Sequence, residues 1–342
     1  MRAAAPRRPS VRALASNSDR PIALPFLWGP RLVTDAVVAD RVHVRAPGKI
    51  NLFFEVGDVQ DDGYHDVASA YQAVSLYEDV WATPADDFTI RVSGTVDVSG
   101  VPADDRNLAL RAARMLAQRA GYEGGVHLEI VKHVPVAGGM GGGSADAAAA
   151  LVACDLLWGT DLGMQELQRL AARLGADVPF ALMGGTAIGT GRGDQLSQAL
   201  AKGRFDWVLL TSEDEGLSTP EVYSHLDRMR ADRAPDIAPP RRTPAVEPGV
   251  LQALRAGDAA ALSVRVRNDL QPAALSLRPA LREALELGER SGALAGLVSG
   301  SGPTLAFLAE GPEAALELQV TLAAAGYPAL HVHGPVAGAR AL

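Results

Sequence analysis

Cysteine is nearly missing from this chain: Cys154 is the only one in 342 residues. No intramolecular disulfide can form, and the chain suits a reducing compartment. Cys154 sits among apolar residues of a helical stretch and reads as a small core residue, not a nucleophile. Long apolar runs are also missing. The longest, such as 147–153, are short and alanine-rich, so no segment reaches the length of a membrane span. An excess of basic charge is missing too. The formal net charge is −8, which argues against broad nucleic-acid binding, where a basic stripe is the rule. The seven histidines show no zinc-like spacing, and His331-x-His333 reads as alternation at a strand end. No internal repeat is present.

What the chain has is glycine in one place. Residues 135–144 read Pro-Val-Ala-Gly-Gly-Met-Gly-Gly-Gly-Ser, and an alanine-rich helical stretch follows at once. Glycines here let the backbone approach a ligand with no Cβ in the way and permit positive φ where the turn needs it. Ser144 is the expected N-cap of the helix. A glycine loop entering a helix presents free N–H groups and the positive end of the helix dipole, which suits an anion, here a phosphate chain. A side chain at Gly142 is expected to sit where phosphate approaches. A plain turn rarely needs more than one or two glycines. The common P-loop ends Gly-Lys-Ser/Thr, whereas Gly143 runs directly into Ser144. The dinucleotide fingerprint fits poorly as well. Lys132-His133-Val134-Pro135 separates the preceding strand from the glycines, and no acidic residue about 20 positions on closes a second hydrophobic strand.

At this length two domains are the default. A hydrophobic share of 48% with 21% charged residues is ordinary for a soluble enzyme. Residues 1–40 differ: the first 18 hold four arginines and no acid. That composition matches a transit peptide, and equally a disordered tail or an over-long gene start; the tail is the expectation. Period-2 patterns predict strands over 41–46, 52–56, 71–76, 80–83, 88–92, 126–131 and 207–210. Helical periodicity predicts helices over 107–120, 164–174 and after the glycine loop. Five prolines within 231–248 mark an exposed loop. Helices near 249–256, 258–266, 278–291 and 312–325 and strands over 294–298, 304–308 and 329–333 complete the chain. Strands and helices in this order suggest two α+β domains.

The Pro-x-x-x-Gly-x-x-Gly-Gly-Ser form resembles the phosphate loop of the superfamily named for galactokinase, homoserine kinase, mevalonate kinase and phosphomevalonate kinase, the GHMP kinases. Ala46-Pro47-Gly48-Lys49-Ile50-Asn51-Leu52 resembles its N-terminal motif. Gly296-Leu297-Val298-Ser299-Gly300-Ser301-Gly302-Pro303-Thr304 resembles its C-terminal glycine motif. The resemblance covers about residues 42–340. It implies an α+β two-domain GHMP-kinase fold: an N-terminal nucleotide-binding domain over 41–200 and a C-terminal ferredoxin-like α/β domain over 201–342, with the site between them. Asp62-Gly63-Tyr64-His65 and Gly175-Ala176-Asp177-Val178-Pro179-Phe180 narrow it to a branch that phosphorylates a cytidine diphosphate sugar alcohol in the non-mevalonate isoprenoid pathway.

Phosphoryl transfer asks a protein mainly for positioning and charge neutralisation. The resemblance puts these tasks on Asp177, which would accept the proton of the attacking hydroxyl, and on Lys49, which would hold Asp177 ionised and offset charge on the moving group. An ammonium beside a carboxylate favours its charged form, so the pair is coherent. ATP would lie on Pro135, Val136, Ala137, Gly138, Gly139, Met140, Gly141, Gly142, Gly143, Ser144 and Ala145. Asn107 and Lys132 flank that pocket as adenosine contacts, with an exposed strand-end lysine the alternative for Lys132. Asn51 shares a strand face with Lys49 and would bond the substrate polyol. Tyr64 and His65 would meet the cytidine end. Tyr223 is either another aromatic against the cytosine or a core tyrosine. Mg²⁺ is expected as MgATP, held by phosphates, waters and Ser144; the metal ligands are unknown, with Asp146 and Asp155 the nearby acids. The expected partner is a small molecule only, with no nucleic acid and no membrane, for a cytoplasmic monomer or weak homodimer (plastid if residues 1–40 are a transit peptide). The rivals are another sugar-alcohol kinase or a diphosphomevalonate decarboxylase on the same fold, and a catalytically silent nucleotide- or sugar-binding regulator.

Overall fold

The computed structural model describes residues 40–211, 217–232, 237 and 239–342. The expectation for residues 1–40, all of them but Asp40, and part of that for the 231–248 loop, lie outside the described residues. Val38–Leu342 forms one compact unit.

Two long antiparallel strands, β1 (Val42–Val59) and β2 (His65–Ala85), are the spine of the molecule. Each runs through a place where the sequence pattern predicts a break. The register shifts between Pro47 and Lys49 and again between Asn51 and Phe53. Such bulges absorb a proline that cannot donate to a ladder and re-aim the side chains beside it. β3 (Phe88–Gly94) pairs parallel with β4 (Gly125–Lys132) after a crossover through α1 (Leu108–Ala120). Then come α2 (Gly142–Trp158), α3 (Gly163–Leu174), α4 (Val178–Met183) and the hairpin of β5 (Thr186–Thr190) and β6 (Gln195–Ala199). α2 has alanine on nearly every side, and Ala147, Ala148, Ala149, Ala150 and Ala153 are all fully buried. A helix apolar all round belongs in a core, and small side chains let it lie close to the sheet.

The second half is β7 (Phe205–Leu210), α5 (Thr219–Ala231), α6 (Pro248–Ala256), α7 (Ala259–Ser263), β8 (Arg267–Asn268), α8 (Gln271–Leu277), α9 (Ala280–Arg290), β9 (Ala295–Val298), β10 (Leu305–Ala309), α10 (Pro312–Ala324), β11 (Ala329–Gly334) and β12 (Arg340–Ala341). The large sheet runs β12-β1-β2-β4-β3, with β5 and β6 extending from β2 and β8 beside β1; the small one runs β11-β7-β10-β9. β8 and β12, late in the chain, thus belong to the first sheet. Ile50 and Phe53 of β1 share a core cluster with Trp207 and Leu209 of β7 and Val332 of β11.

Candidate active site

α2 begins one turn earlier than the sequence pattern predicts. Its N-cap is Gly141, at φ 72° and ψ 25°, with no side-chain cap; Ser144 therefore lies inside the first turn. A left-handed residue is cheap only for glycine. It turns the chain so that the first N–H groups of α2, which have no acceptor within the helix, open outward. They face a cavity of about 410 Å³ whose walls include Pro135, Val136, Ala137, Gly138, Gly139, Gly141, Gly142 and Gly143. Met140 and Ala145 are instead fully buried in the cores behind the loop. Only Gly139 and Gly141 need positive φ within the loop's glycines. Gly138 and Gly139 serve close approach: a Cβ on them would lie 2.8 Å from Oγ1 of Thr304 and 2.5 Å from the Ser299 carbonyl. The C-terminal glycine motif thus packs directly on the phosphate loop. Gly142 departs from expectation. A Cβ there would point inward, 2.8 Å from Oε1 of Glu78 and 3.2 Å from Nζ of Lys132. The glycine with open space is Gly143, where a Cβ would meet only Leu108, at 3.8 Å.

Lys49 is brought to this loop by its own backbone, whose N–H donates to the Met140 carbonyl at 2.9 Å. Its Nζ donates to Oδ1 of Asn51 at 2.8 Å, and Nδ2 of Asn51 donates to Oγ of Ser69 at 2.8 Å. The same-face reading of Lys49 and Asn51 is thereby met. Nζ of Lys49 lies 3.6 Å from Oδ2 of Asp177, an ion pair just beyond hydrogen-bond length. Asp177 occupies the N-cap position of α4, yet its side chain makes no cap bond. Its carboxylate is left free toward the loop, 3.7 Å from where a Gly141 Cβ would stand. Two phenols lie within range of its charge. Burial, and then the charge of Asp177, push the hydroxyls of both Tyr71 and Tyr223 well up from their ordinary range. Tyr223 is partly buried and packs against the core of the second half, within range of the Asp177 charge. The ring of Tyr71 lies under Lys49, with Nζ 5.6 Å from its centroid.

Lys132 is not an exposed strand-end lysine. It is 2% exposed, and its Nζ donates to Oε1 of Glu78 and to Oδ2 of Asp146, each at 2.6 Å. Burial works against the ammonium, but the charges of Asp146 and Glu78 outweigh it and hold the Lys132 pKa up. Burial, helped by the charge of Asp146, pushes the Glu78 carboxyl up to about 8. Burial likewise pushes Asp146 up, against the pull of Lys132. Lys132 and Asp146 line the cavity, and Oδ1 of Asp146 is buried with no partner. Asn107 also lines it, but its side chain caps α1, accepting from the Ala109 N–H at 2.9 Å and donating to the Pro102 carbonyl at 2.7 Å.

Tyr64 and His65, expected together at the base, part company. Tyr64 is 58% exposed, with the guanidinium of Arg192 4.1 Å from its ring centroid; Arg192 also pairs with Asp62. His65 is buried at the start of β2, its Nε2 2.9 Å from Oδ1 of Asp227 and its ring centroid 5.1 Å from that of Tyr223. Tyr71, Glu78 and Asp227 were not among the expected site residues. Each stands alone in sequence, and its meaning comes from a partner far along the chain. Cys154 is fully buried and its thiol is pushed up by burial, so it is no nucleophile. His331 bonds Asp206 at 2.8 Å on β11 and has no part in the site. Among the described residues no group of three His, Cys, Asp or Glu side chains is placed to hold a metal ion. No helix among them is long and apolar enough to cross a membrane.

A glycine loop feeding a buried helix, facing a lysine–aspartate pair in an α+β frame of two sheets, defines the class: an ATP-dependent small-molecule kinase of the GHMP type. The family model for the GHMP kinases N terminal domain matches residues 107–185, and that for GHMP kinases C terminal matches 250–328. A 4-diphosphocytidyl-2-C-methyl-D-erythritol kinase from Leifsonia xyli subsp. xyli is 63% identical over 304 residues, covering 89% of this chain and 99% of the relative. Another of that name from Clavibacter michiganensis subsp. michiganensis is 60% identical, covering 90% and 99%. A crystal structure of 4-(cytidine 5'-diphospho)-2C-methyl-D-erythritol kinase superposes with TM-score 0.68 at 31% identity, covering 85% of this chain and 98% of that one. The chain belongs to the 4-diphosphocytidyl-2-C-methyl-D-erythritol kinase family.

Proposed function

We propose that this protein transfers the γ-phosphoryl group of ATP to the 2-hydroxyl of 4-diphosphocytidyl-2-C-methyl-D-erythritol, in the non-mevalonate route to isoprenoid precursors. The observation that carries the reading is the Lys49–Asp177 pair, 3.6 Å apart, set against the mouth of the glycine loop with the Asp177 carboxylate free. Asp177 takes the proton of the substrate hydroxyl as its oxygen forms the new bond to phosphorus. The bond from phosphorus to the β–γ bridging oxygen breaks, and ADP carries that oxygen away. Lys49, steadied by Asn51, offsets charge on the moving group. The N–H groups opening from α2 hold the phosphates that stay behind. Tyr223 and His65 hold the base, with Tyr64 at the rim, so that the polyol reaches Asp177.

Mg²⁺ enters as MgATP. Oδ1 of Asp146, buried, unpartnered and on a residue of the cavity wall, is the protein group that fits it, with the Ser144 hydroxyl a turn's start away; the ion supplies neutralisation of phosphate charge. The reading includes a cytoplasmic monomer or weak homodimer that acts on a small molecule.

A coupled ADP-release assay over cytidine diphospho-methylerythritol, mevalonate, homoserine and galactose tests it. Release with the first substrate alone is expected, with Asp177→Asn reduced about 10²–10⁴-fold and its ADP affinity within a few-fold of wild type. Release with another of the four instead overturns the substrate. Binding without turnover makes the protein a regulator, and an Asp177→Asn variant above a tenth of wild-type turnover removes Asp177 from proton transfer.

A further inference from the structure

The contact between His65 and Asp227 settles a question of chemistry that neither residue settles alone. Oδ1 of Asp227 is 2.9 Å from Nε2 of His65, with the His65 side chain 5% exposed and that of Asp227 37% exposed. An ionised carboxylate only accepts, so Nε2 carries the hydrogen. In a neutral imidazole this leaves Nδ1 as a lone-pair acceptor, because the bond made by one ring nitrogen fixes the state of the other. Among the described residues, Asp227 is the one hydrogen-bonding partner of the His65 ring.

Asp227 is also well placed to hold the ring still. It lies four residues after Tyr223 on α5, so both project from one helix face, and the Tyr223 ring packs on the imidazole at 5.1 Å and 39°. α5 is in turn tied to β1 by Arg230, which donates to the Val56 carbonyl at 2.8 Å and the Gly57 carbonyl at 3.1 Å.

Cytosine and uracil differ at ring position 4. Cytosine carries an amine there, a donor, and uracil a carbonyl, an acceptor. A lone pair aimed at that position pairs with the first and repels the second. We propose that Asp227 is the positioning residue that makes this site choose cytosine over uracil, by holding His65 with its hydrogen on Nε2 and its Nδ1 lone pair toward the base. The inference rests on the reading above that the base lies at His65 and Tyr223.

Asp227→Asn tests it, since the change is nearly isosteric and on a partly exposed residue. The amide can turn its NH₂ toward Nε2, which favours the opposite tautomer with hydrogen on Nδ1. Calorimetry with CDP and with UDP should show the wild type favouring CDP. In Asp227→Asn the CDP:UDP affinity ratio should fall by roughly 5- to 150-fold, the span expected when a buried polar pair is mismatched. Asp227→Glu, which keeps an acceptor, should retain most of the preference. In turnover the loss should fall on KM for the cytidine substrate and not on KM for ATP. His65→Ala separates the two ways of failing. If it leaves CDP affinity unchanged, the base is not at His65, and the reading of the site fails with the proposal. If it weakens CDP while nitrogen NMR of the wild type places the His65 hydrogen on Nδ1, the base site stands and the tautomer assignment is overturned.

Discussion

Glu78, Lys132 and Asp146 put two carboxyls and one ammonium in a place where water hardly reaches. Such a group keeps its charge low by retaining a proton, and the raised Glu78 carboxyl, up to about 8, is where it shows. The consequence for stability has a definite sign. Between about pH 4.5 and about pH 8 the folded chain keeps on Glu78 a proton that the unfolded chain has lost. Stability from this group is therefore full at low pH, falls as pH rises through that window and levels off above it. Urea unfolding of wild type and Glu78→Gln isolates it, because glutamine does not titrate. The wild type should lose stability relative to the variant on going from about pH 5 to about pH 8. A difference between the two that ignores pH would mean that Glu78 is ionised throughout. At this scale sequence reasoning put Lys49, Asn51 and Asp177 forward together, because each sits in a segment that resembles a family motif, and the fold brings Lys49 within 2.8 Å of Asn51 and 3.6 Å of Asp177. That reasoning did not reach the environment of Lys132, whose partners lie 54 and 14 residues away. Burial and pairing are properties of the fold, and a lone lysine at a strand end looks the same with or without them.

The glycine loop shows what can and cannot be read of an element. The proposal that it cradles an anion rests on composition and on the helix behind it. Which glycine faces the ligand could not be read that way, because that depends on where the helix starts, and the start moved from Ser144 to Gly141. Two substitutions separate the inward glycine from the outward one. Gly142→Val should destabilise the protein, since its side chain enters the space of Glu78 and Lys132, and a small-to-large change in a packed core typically costs about 1–3 kcal/mol. Gly143→Ala should keep the melting temperature within a few degrees and weaken ADP, because its methyl projects where space is open. Thermal melts and ADP calorimetry on both variants would decide; a Gly143→Ala protein with wild-type ADP affinity would sink the cradle assignment for that N–H. The regular helices α1, α3, α6 and α9 carry a clear apolar period, whereas α10, with Leu316 and Val320 exposed among its apolar residues, was placed by its position in the chain. The short pieces α4, α8, β8 and β12 were not, being too brief for any period to declare itself. The spine strands β1 and β2 were read as fragments, since a bulge over Pro47 breaks alternation without ending a strand.

For the whole molecule, the telling feature is how the end of the chain returns to the catalytic half. After β11 the backbone crosses to the first sheet. Gly185 N–H donates to Val336 at 2.7 Å, Val336 N–H to Ala73 at 3.2 Å, Ala339 N–H to Ala181 at 2.9 Å and Leu342 N–H to His43 at 3.0 Å. β12 then adds to the edge of β1. Gly338 passes so close to α4 that a Cβ on it would lie 2.2 Å from the Leu182 carbonyl. α4 starts immediately after Asp177, so this segment clamps the helix that aims the carboxylate proposed to take the proton, while the glycine loop is held separately by Lys49 and the buried α2. Composition alone suggested two domains in series; a β-strand contributed from the far end cannot be foreseen without knowing which edge stands open. The two attachments predict a split response. Removing residues 335–342 deletes several main-chain hydrogen bonds worth about 1 kcal/mol each, and a loss of a few kcal/mol in a protein of this size lowers the melting temperature by roughly 5–15 °C. Turnover should fall more than ten-fold as Asp177 loses its aim, on the scale of what misplacing a reacting group costs, while ADP affinity stays within a few-fold. Gly338→Ala gives the same direction in milder form and keeps the test open should the shortened chain fail to fold. Thermal melts, steady-state turnover and ADP calorimetry on both proteins check it. Unchanged turnover in a protein that melts early would mean that α4 holds Asp177 without help from the end of the chain.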